Sequence, residues 1–258
     1  MSIHKMVGAG NDFILLEDFD VSISDDRLPV LARYYCDRKG QYGADGLIVL
    51  RESDKADCRM LFFNSDGSAA EMCGNGARCV CRYCYDNGLS EDIQTIETAS
   101  GIITGLRMKA DLYRIRLNSP SLMETSEELS YIELGEPGHP HAVLPLPSDL
   151  SREALRDYAR KLRYDPRFPK GANVNFYRLT GDNCMDLLTY ERGVEDFTLA
   201  CGTGTGATVL ALTLLGKVSG AHTRVDCPGG TLWVDVEKEK SDPPSLFLTG
   251  PAEEIPLE

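Results

Sequence analysis

The sequence predicts an α+β fold made of two homologous halves related by a pseudo-twofold axis. Three observations lead there: a cysteine-glycine motif that occurs twice, landmarks that recur around it, and strand-like and helix-like segments in the same order in both halves. Met72-Cys73-Gly74-Asn75-Gly76-Ala77 resembles Ala200-Cys201-Gly202-Thr203-Gly204-Thr205, at an offset of 128 (201 − 73). At that offset Gly10-Asn11 answers to Gly138-His139, Gly43-Ala44-Asp45 to Gly171-Ala172-Asn173, Asn64 to Arg192 and Gly101 to Gly229. One short glycine match arises easily by chance. Several in one order and at constant spacing indicate duplication.

The elements follow in chain order. Phe13–Leu16 reads as a strand, and Ser24 as the cap of a helix from Asp25 to about Cys36, ended by Lys39-Gly40. Leu47–Leu50 and Met60–Phe63 are strand-like. A helix is expected over Ala77–Tyr85 after the first cysteine-glycine turn, ending near Asn87-Gly88. Pro120 to Glu133 reads as a loop-like hinge. In the second half Ser151 caps a helix from Arg152 to about Arg163, stopped by Asp165-Pro166. Leu187–Tyr190 is a strand, and Ala207–Leu215 a helix ended by Gly216.

Composition narrows the function. The 258 residues are 42% hydrophobic and 26% charged, an ordinary globular balance that leaves room for two modest domains. A net charge of −13 with no basic block disfavours nucleic acid and anionic membrane surfaces as partners. No apolar run is long enough to span a bilayer, and Met1-Ser2-Ile3-His4-Lys5 has no secretory pattern, so a cytoplasmic location is expected. Nine cysteines is an odd number for a disulfide framework, and they read as reduced thiols.

Cys73 and Cys201 each stand before a glycine-rich turn that opens a helix. N–H groups at a helix start lack intrahelical acceptors and carry partial positive charge, so they bind anions and favour a thiolate. Two such turns face to face would hold one carboxylate, with a sulfur on each side of its α-carbon. One thiolate removes the α-proton while the opposite thiol protonates the other face, and the N–H donors stabilise the charge on the carboxylate. No cofactor and no metal are required.

Asn64-Ser65-Asp66-Gly67-Ser68-Ala69-Ala70-Glu71-Met72-Cys73-Gly74-Asn75-Gly76-Ala77-Arg78-Cys79 closely resembles the first signature of the diaminopimelate epimerase family, and Glu191-Arg192-Gly193 through Leu199-Ala200-Cys201-Gly202-Thr203-Gly204 its second. Lys5-Met6 to Asn11-Asp12-Phe13, Pro140-His141-Ala142-Val143, Asn173-Val174-Asn175-Phe176, Pro228-Gly229-Gly230 and Thr249-Gly250-Pro251 extend the likeness. The resemblance implies pyridoxal-phosphate-free interconversion of LL- and meso-diaminopimelate in lysine and cell-wall synthesis. It also implies two domains, each a curved, mostly antiparallel sheet around a central helix, with the site in the cleft between them. The halves would be 1–120 and 121–258, with a strand near 246–258 returning to the first.

By the same resemblance Cys73 and Cys201 are the acid–base pair, and Gly74, Asn75, Gly202 and Thr203 hold the carboxylate through backbone N–H groups. Asn11 lies near the reacting end; Asn64, Asn173, Glu191 and Arg192 read the distant amino-acid end. A homodimer is the family expectation. The chain departs from the common pattern at His139, where many members have asparagine at a substrate-facing position, and at Gly46, where some have glutamine. A relative acting on another amino acid, histidine for example, would keep both cysteines and change this shell.

Other readings weigh less. Gly202-x-Gly204-x-x-Ala207 loosely fits a dinucleotide fingerprint, but its partner turn carries a matching cysteine. Cys79, Cys81 and Cys84 point in different directions from a helix and suit core packing better than a metal. His4 and His222 read as surface or turn residues, and His141 as a ligand-facing group or a turn histidine. Glu191-Arg192 also fits a plain surface ion pair.

Overall fold

The computed structural model describes residues 2–70, 72–237 and 243–257. The chain divides into two compact units, Met1–Ile115 with Thr249–Glu258, and Arg116–Leu248.

The first unit opens with an antiparallel hairpin, β1 (Ile3–Gly8) and β2 (Asn11–Glu17), turned at Ala9-Gly10. Helix α1 (Leu28–Cys36) is entered through a 3-10 turn at Asp25–Arg27. The single helix expected from Asp25 is thus two pieces. Ser24 makes no side-chain cap, and Pro29, which has no N–H to leave unpaired, takes the first α-helical turn. β3 (Gly46–Arg51) returns parallel to β2, β4 (Cys58–Asn64) runs antiparallel to β3, and the two-residue β5 (Ala69–Ala70) folds back on β4. After α2 (Gly74–Asp86) come β6 (Ile93–Thr98), parallel to β4, then β7 (Gly101–Arg107) and β8 (Leu112–Arg116) in an antiparallel meander.

Helix α2 packs against β1, β4, β6, β7 and the C-terminal strand Glu253–Ile255, which pairs antiparallel with β1. Gly74 through Cys81 are all buried, so no face of that stretch meets water. A helix enclosed by strands needs small residues where backbones approach. At Gly105 of β7, an added Cβ would collide with Cys81 Sγ. Cys79, Cys81 and Cys84 are core residues, and Cys84 Sγ lies 3.5 Å from Cys58 Sγ.

The second unit repeats this order. β9 (Pro120–Glu124) pairs with β10 (Ser130–Leu134), which forms a hairpin with β11 (His139–Pro145). Helix α3 (Arg152–Arg163) follows, with Ser151 Oγ accepting the Ala154 N–H as the cap expected from sequence. β12 (Asn173–Gly181) is parallel to β11, β13 (Cys184–Glu191) antiparallel to β12, and β14 (Asp196–Thr198) folds back on β13. Next come α4 (Gly202–Leu214), β15 (Thr223–Cys227) parallel to β13, β16 (Gly230–Glu237) and β17 (Ser245–Pro251), whose last residues, from Thr249, belong to the first unit, as does β18 (Glu253–Ile255). α4 packs on β10, β11, β12 and β16 as α2 packs in its own unit. Both units are mostly antiparallel sheets around one buried helix. The expected loop from Pro120 to Glu133 holds β9 and most of β10 instead.

The duplication is present in strand order and register, but its spacing drifts. The Gly8–Asn11 pair matches Leu134–His139, so the offset steps from 126 to 128 across the hairpin. It is 127 on the next strands, where Ile48 and Phe62 match Asn175 and Thr189, and 129 at Thr98–Gly101 against Cys227–Gly230. Gly101 therefore answers to Gly230, and Asn64 to Glu191 rather than to Arg192.

Equivalent core positions differ in polarity. Phe13, Ile48 and Phe62 of the first unit correspond to His141, Asn175 and Thr189 of the second. His141 is fully buried in β11 rather than in a turn, with Nδ1 3.3 Å from the Asn175 amide and Nε2 without a hydrogen-bond partner among the described residues. Burial, aided by the charges of His139 and Arg192, pushes its pKa from 6.5 down to about 3. Below pH 6.5 the unfolded chain takes up a proton that the folded chain refuses, down to about pH 3. The stability present at neutral pH should therefore be lost from this group at about 1.4 kcal/mol per pH unit as pH falls across that window. Denaturant melts of His141→Phe should show a shallower acid slope than the unsubstituted protein. Gly105→Ala, which has no space beside Cys81, should lower unfolding free energy by about 1–3 kcal/mol in the same assay.

Candidate active site

In the first unit Cys73 is the N-cap of α2, with extended backbone (φ −131°, ψ 116°) and its sulfur accepting the Gly76 N–H at 3.4 Å. The helix begins at Gly74, not at Ala77 as expected, because the glycines themselves adopt helical geometry and form the first turn. An added Cβ at Gly76 would press on Met60, Ile48 and the Cys73 Cβ, at 3.2–3.5 Å. Glu71, which belongs to the same motif, lies outside the described residues.

A chain of side-chain hydrogen bonds runs from this turn. The fully buried Arg78 donates to Asn75 Oδ1 (2.7 Å), Asn75 Nδ2 to Asn11 Oδ1 (2.6 Å), and Asn11 Nδ2 to Asp45 Oδ2 (2.9 Å). Arg38 then bridges Asp45 and Asp12, and Lys5 also reaches Asp12. Burial pushes the Asp12 carboxyl up, but the hydrogen bonds and charges of Arg38 and Lys5 prevail and hold it below the usual carboxylate range. Asn11 and Asn75 are thus fixed in orientation before any ligand arrives. Asn64 ends β4 in an exposed turn, where Nδ2 donates to Ser68 Oγ at 2.9 Å and Arg33 of α1 holds the Asp66 carbonyl.

The second unit repeats the device. Cys201 caps α4 with φ −120° and ψ 111°, and its sulfur accepts the Gly204 N–H at 3.4 Å. Thr203 Oγ1 is 3.5 Å from the same sulfur, and Gly202 is the first helical residue. A Cβ at Gly204 would collide with Asn175 Oδ1, which also accepts from Thr189 Oγ1 at 3.0 Å. Asn173, in β12, accepts the Arg192 backbone N–H at 2.8 Å, and Arg192 Nη1 donates to the Lys170 carbonyl at 3.0 Å. Glu191 closes β13, and the exposed His139 opens β11.

Sequence reading missed Glu133. Its carboxylate is buried, accepting from Tyr131 Oη (2.7 Å) and from Lys170 Nζ (2.8 Å). Burial raises its pKa, yet those two donors and Arg192 hold it low. Gly138, next to His139, must lack a side chain because a Cβ would meet this carboxylate. An acidic residue in a strand next to a glycine-containing turn gives no sequence signal for this. His4, expected as a surface or turn residue, lies in β1 between Glu17 and Glu254 with its ring edge-on to Tyr83.

Register places most of the expected residues at matched positions. Asn11 pairs with His139, Gly46 with Asn173, Asn64 with Glu191 and Asn75 with Thr203. Each unit therefore repeats one plan: a cysteine N-cap, a helix start of the kind that can bind an anion, and polar residues on the neighbouring strand ends.

The family model of diaminopimelate epimerase matches residues 3–112 and 136–255. The diaminopimelate epimerase of Desulfitobacterium hafniense is 36% identical over 278 residues, covering 98% of this chain and 95% of its own. That of Flavobacterium psychrophilum is 32% identical over 254 residues, covering 98% and 97%. Among solved structures, a PhzF-family phenazine biosynthesis protein of Bacillus anthracis superposes with a TM-score of 0.77 at 14% identity, covering 98% of this chain and 96% of that one. A hydroxyproline epimerase of Agrobacterium vitis gives 0.66 at 16%, covering 98% and 90%. These distant structures share the fold, while the family model and the full-length relatives carry the assignment: the chain belongs to the diaminopimelate epimerase family.

Proposed function

We propose that this protein epimerises LL-diaminopimelate to meso-diaminopimelate without a cofactor, using Cys73 and Cys201 as the acid–base pair. One observation carries the reading: both sulfurs hold the same N-cap position on equivalent buried helices, each accepting the N–H of the glycine three residues on. In the reaction the thiolate of one cysteine removes the α-proton, and the thiol of the other delivers a proton to the opposite face. The electron pair left on carbon spreads into the α-carboxylate, held by N–H groups of Gly74, Asn75, Gly202 and Thr203. Proton abstraction leaves both sulfurs protonated beside the carbanion, and delivery by the second leaves it as the thiolate and the first as the thiol, so each turnover exchanges their roles.

Asn11, fixed between Asn75 and Asp45, is suited to orient the reacting end. Asn64, Asn173, Glu191 and Arg192 are suited to the distal amino acid, with a carboxylate for its ammonium and a guanidinium for its carboxylate. Lysine and peptidoglycan precursor synthesis is the setting this activity serves. Family likeness supports a cytoplasmic homodimer; among the described residues no helix is long and apolar enough to cross a membrane. His139 favours one second reading, a racemase for another amino acid, because it alters a substrate-facing position while leaving the cysteines in place.

In heavy water, with no pyridoxal phosphate or nicotinamide added, LL-diaminopimelate should acquire deuterium at the α-carbon as the meso isomer forms. Exchange with histidine but not diaminopimelate would replace the substrate, and exchange with no amino acid would remove the activity. Cys73→Ala and Cys201→Ala should each lower epimerisation by more than about a thousandfold with unchanged circular dichroism. His139→Asn should alter KM for diaminopimelate by at least about threefold, a change of about 0.7 kcal/mol in binding; an identical KM would place the side chain away from the ligand.

A further inference from the structure

The turn that carries Glu191 and Arg192 is closed by a residue in a backbone conformation unusual for its type. Glu195 has φ +58°, in the left-handed region where an L side chain is crowded. Phe62 pairs with Ala70 and its equivalent Thr189 with Thr198; three residues before these partners stand Gly67 and Glu195. Gly67 has φ +88°, so the first unit puts a glycine where the backbone favours one. A glutamate held at the same point in the second unit directs attention to what its carboxylate binds.

Glu195 Oε1 accepts the Gly193 N–H at 3.1 Å and the Arg163 Nε–H at 3.1 Å, and the Glu195 N–H donates to the Glu191 carbonyl at 2.8 Å. The side chain thus closes the Glu191–Glu195 turn on itself. Burial pushes the carboxyl up, but the Gly193 N–H, Arg163 and Tyr164 hold it below the usual range, so it is ionised at neutral pH.

Arg163 is the last residue of α3, and its side chain is 12% exposed. Its carbonyl accepts the Ala172 N–H at 3.3 Å, and its guanidinium fills the space beside Gly171, where an added Cβ would collide with it. One ion pair therefore touches both the Gly171-Ala172 entry to Asn173 and the turn of Glu191 and Arg192. Those two segments meet where Asn173 Oδ1 accepts the Arg192 N–H. In the first unit the matching carbonyl, which accepts the Ala44 N–H at 3.2 Å, belongs to Cys36, the last residue of α1. Burial pushes that thiol up to about 12, so Cys36 and Gly67 form no such pair.

We propose, resting on the reading that Asn173, Glu191 and Arg192 receive the distal amino acid, that Glu195 and Arg163 are positioning residues for distal recognition. Neither touches the substrate. Their ion pair sets the Glu191–Arg192 turn against Asn173 before the ligand arrives, so less binding energy goes into ordering that end.

The test is steady-state epimerisation of LL-diaminopimelate by the full-length protein. Glu195→Gly suits the backbone and removes the carboxylate; it should raise KM at least tenfold, with kcat within threefold and unchanged circular dichroism. Glu195→Gln keeps an acceptor for the Gly193 N–H and should raise KM at least threefold; it is read alone if the glycine variant does not fold. Arg163→Met should raise KM as the Glu195 variants do, whereas Arg163→Lys, which keeps the charge, should recover most of the loss. An unchanged KM in a folded variant, or a fall in kcat beyond threefold, overturns the proposal. Failure of the unsubstituted protein to form the meso isomer is a different result: it removes the diaminopimelate reading, and this proposal with it.

Discussion

In each unit a cysteine sulfur accepts the backbone N–H of the glycine three residues on, and much of the local structure follows from that bond. The capping residue must be extended while its successors are helical, which fixes the direction of the Cα–Cβ bond relative to the helix start. The glycine must stay bare, because the floor beneath it is occupied by Ile48 and Met60 in one unit and by Asn175 and Thr189 in the other. Both helices are buried along their first two turns apart from the half-buried Thr203, so strands must wrap them, and small residues such as Gly105 are the points where they can. A sulfur held at a helix start is in the field that favours its ionised form. The position of each sulfur thus comes from one local geometry.

Duplication explains why that geometry occurs twice, and the matched positions around it have come to carry different side chains. Matched positions carry Asn11 and His139, Asn64 and Glu191, Asn75 and Thr203, Arg78 and Gly206. The first unit has a buried cation and an ordered amide chain, while the second holds a neutral buried histidine, Glu133 between two donors, and Arg192 braced on Lys170.

Legibility in the sequence followed the range of the interaction. The cysteine-glycine turns, the Ser151 cap and most strand centres are local signals, and they sit where the residues indicated. The twofold repeat was visible from the same turns, but its constant spacing was not real: hairpins of different length shift the offset from 126 to 129. Paired registers come from sheet pairing, which a linear comparison does not see, and so a constant offset sets Asn64 against Arg192 instead of Glu191. β9 was hidden because its composition is that of a loop and its order comes from pairing with β10. His141 lacked a sequence signal because its burial depends on three strands and Asn175, not on its neighbours in the chain. The family resemblance supplied residue roles that patterning alone does not give.

The most direct measurement of two-sulfur catalysis is where deuterium goes early in the reaction. At a few per cent conversion of LL-diaminopimelate in heavy water, meso product should carry one deuterium at the inverted carbon while recovered LL isomer carries almost none. A proton taken by one sulfur returns only to the face it left, and solvent hydrogen arrives from the other. Deuterium appearing in recovered starting isomer as fast as in product would mean a single group serving both faces, and would contradict the opposed pair.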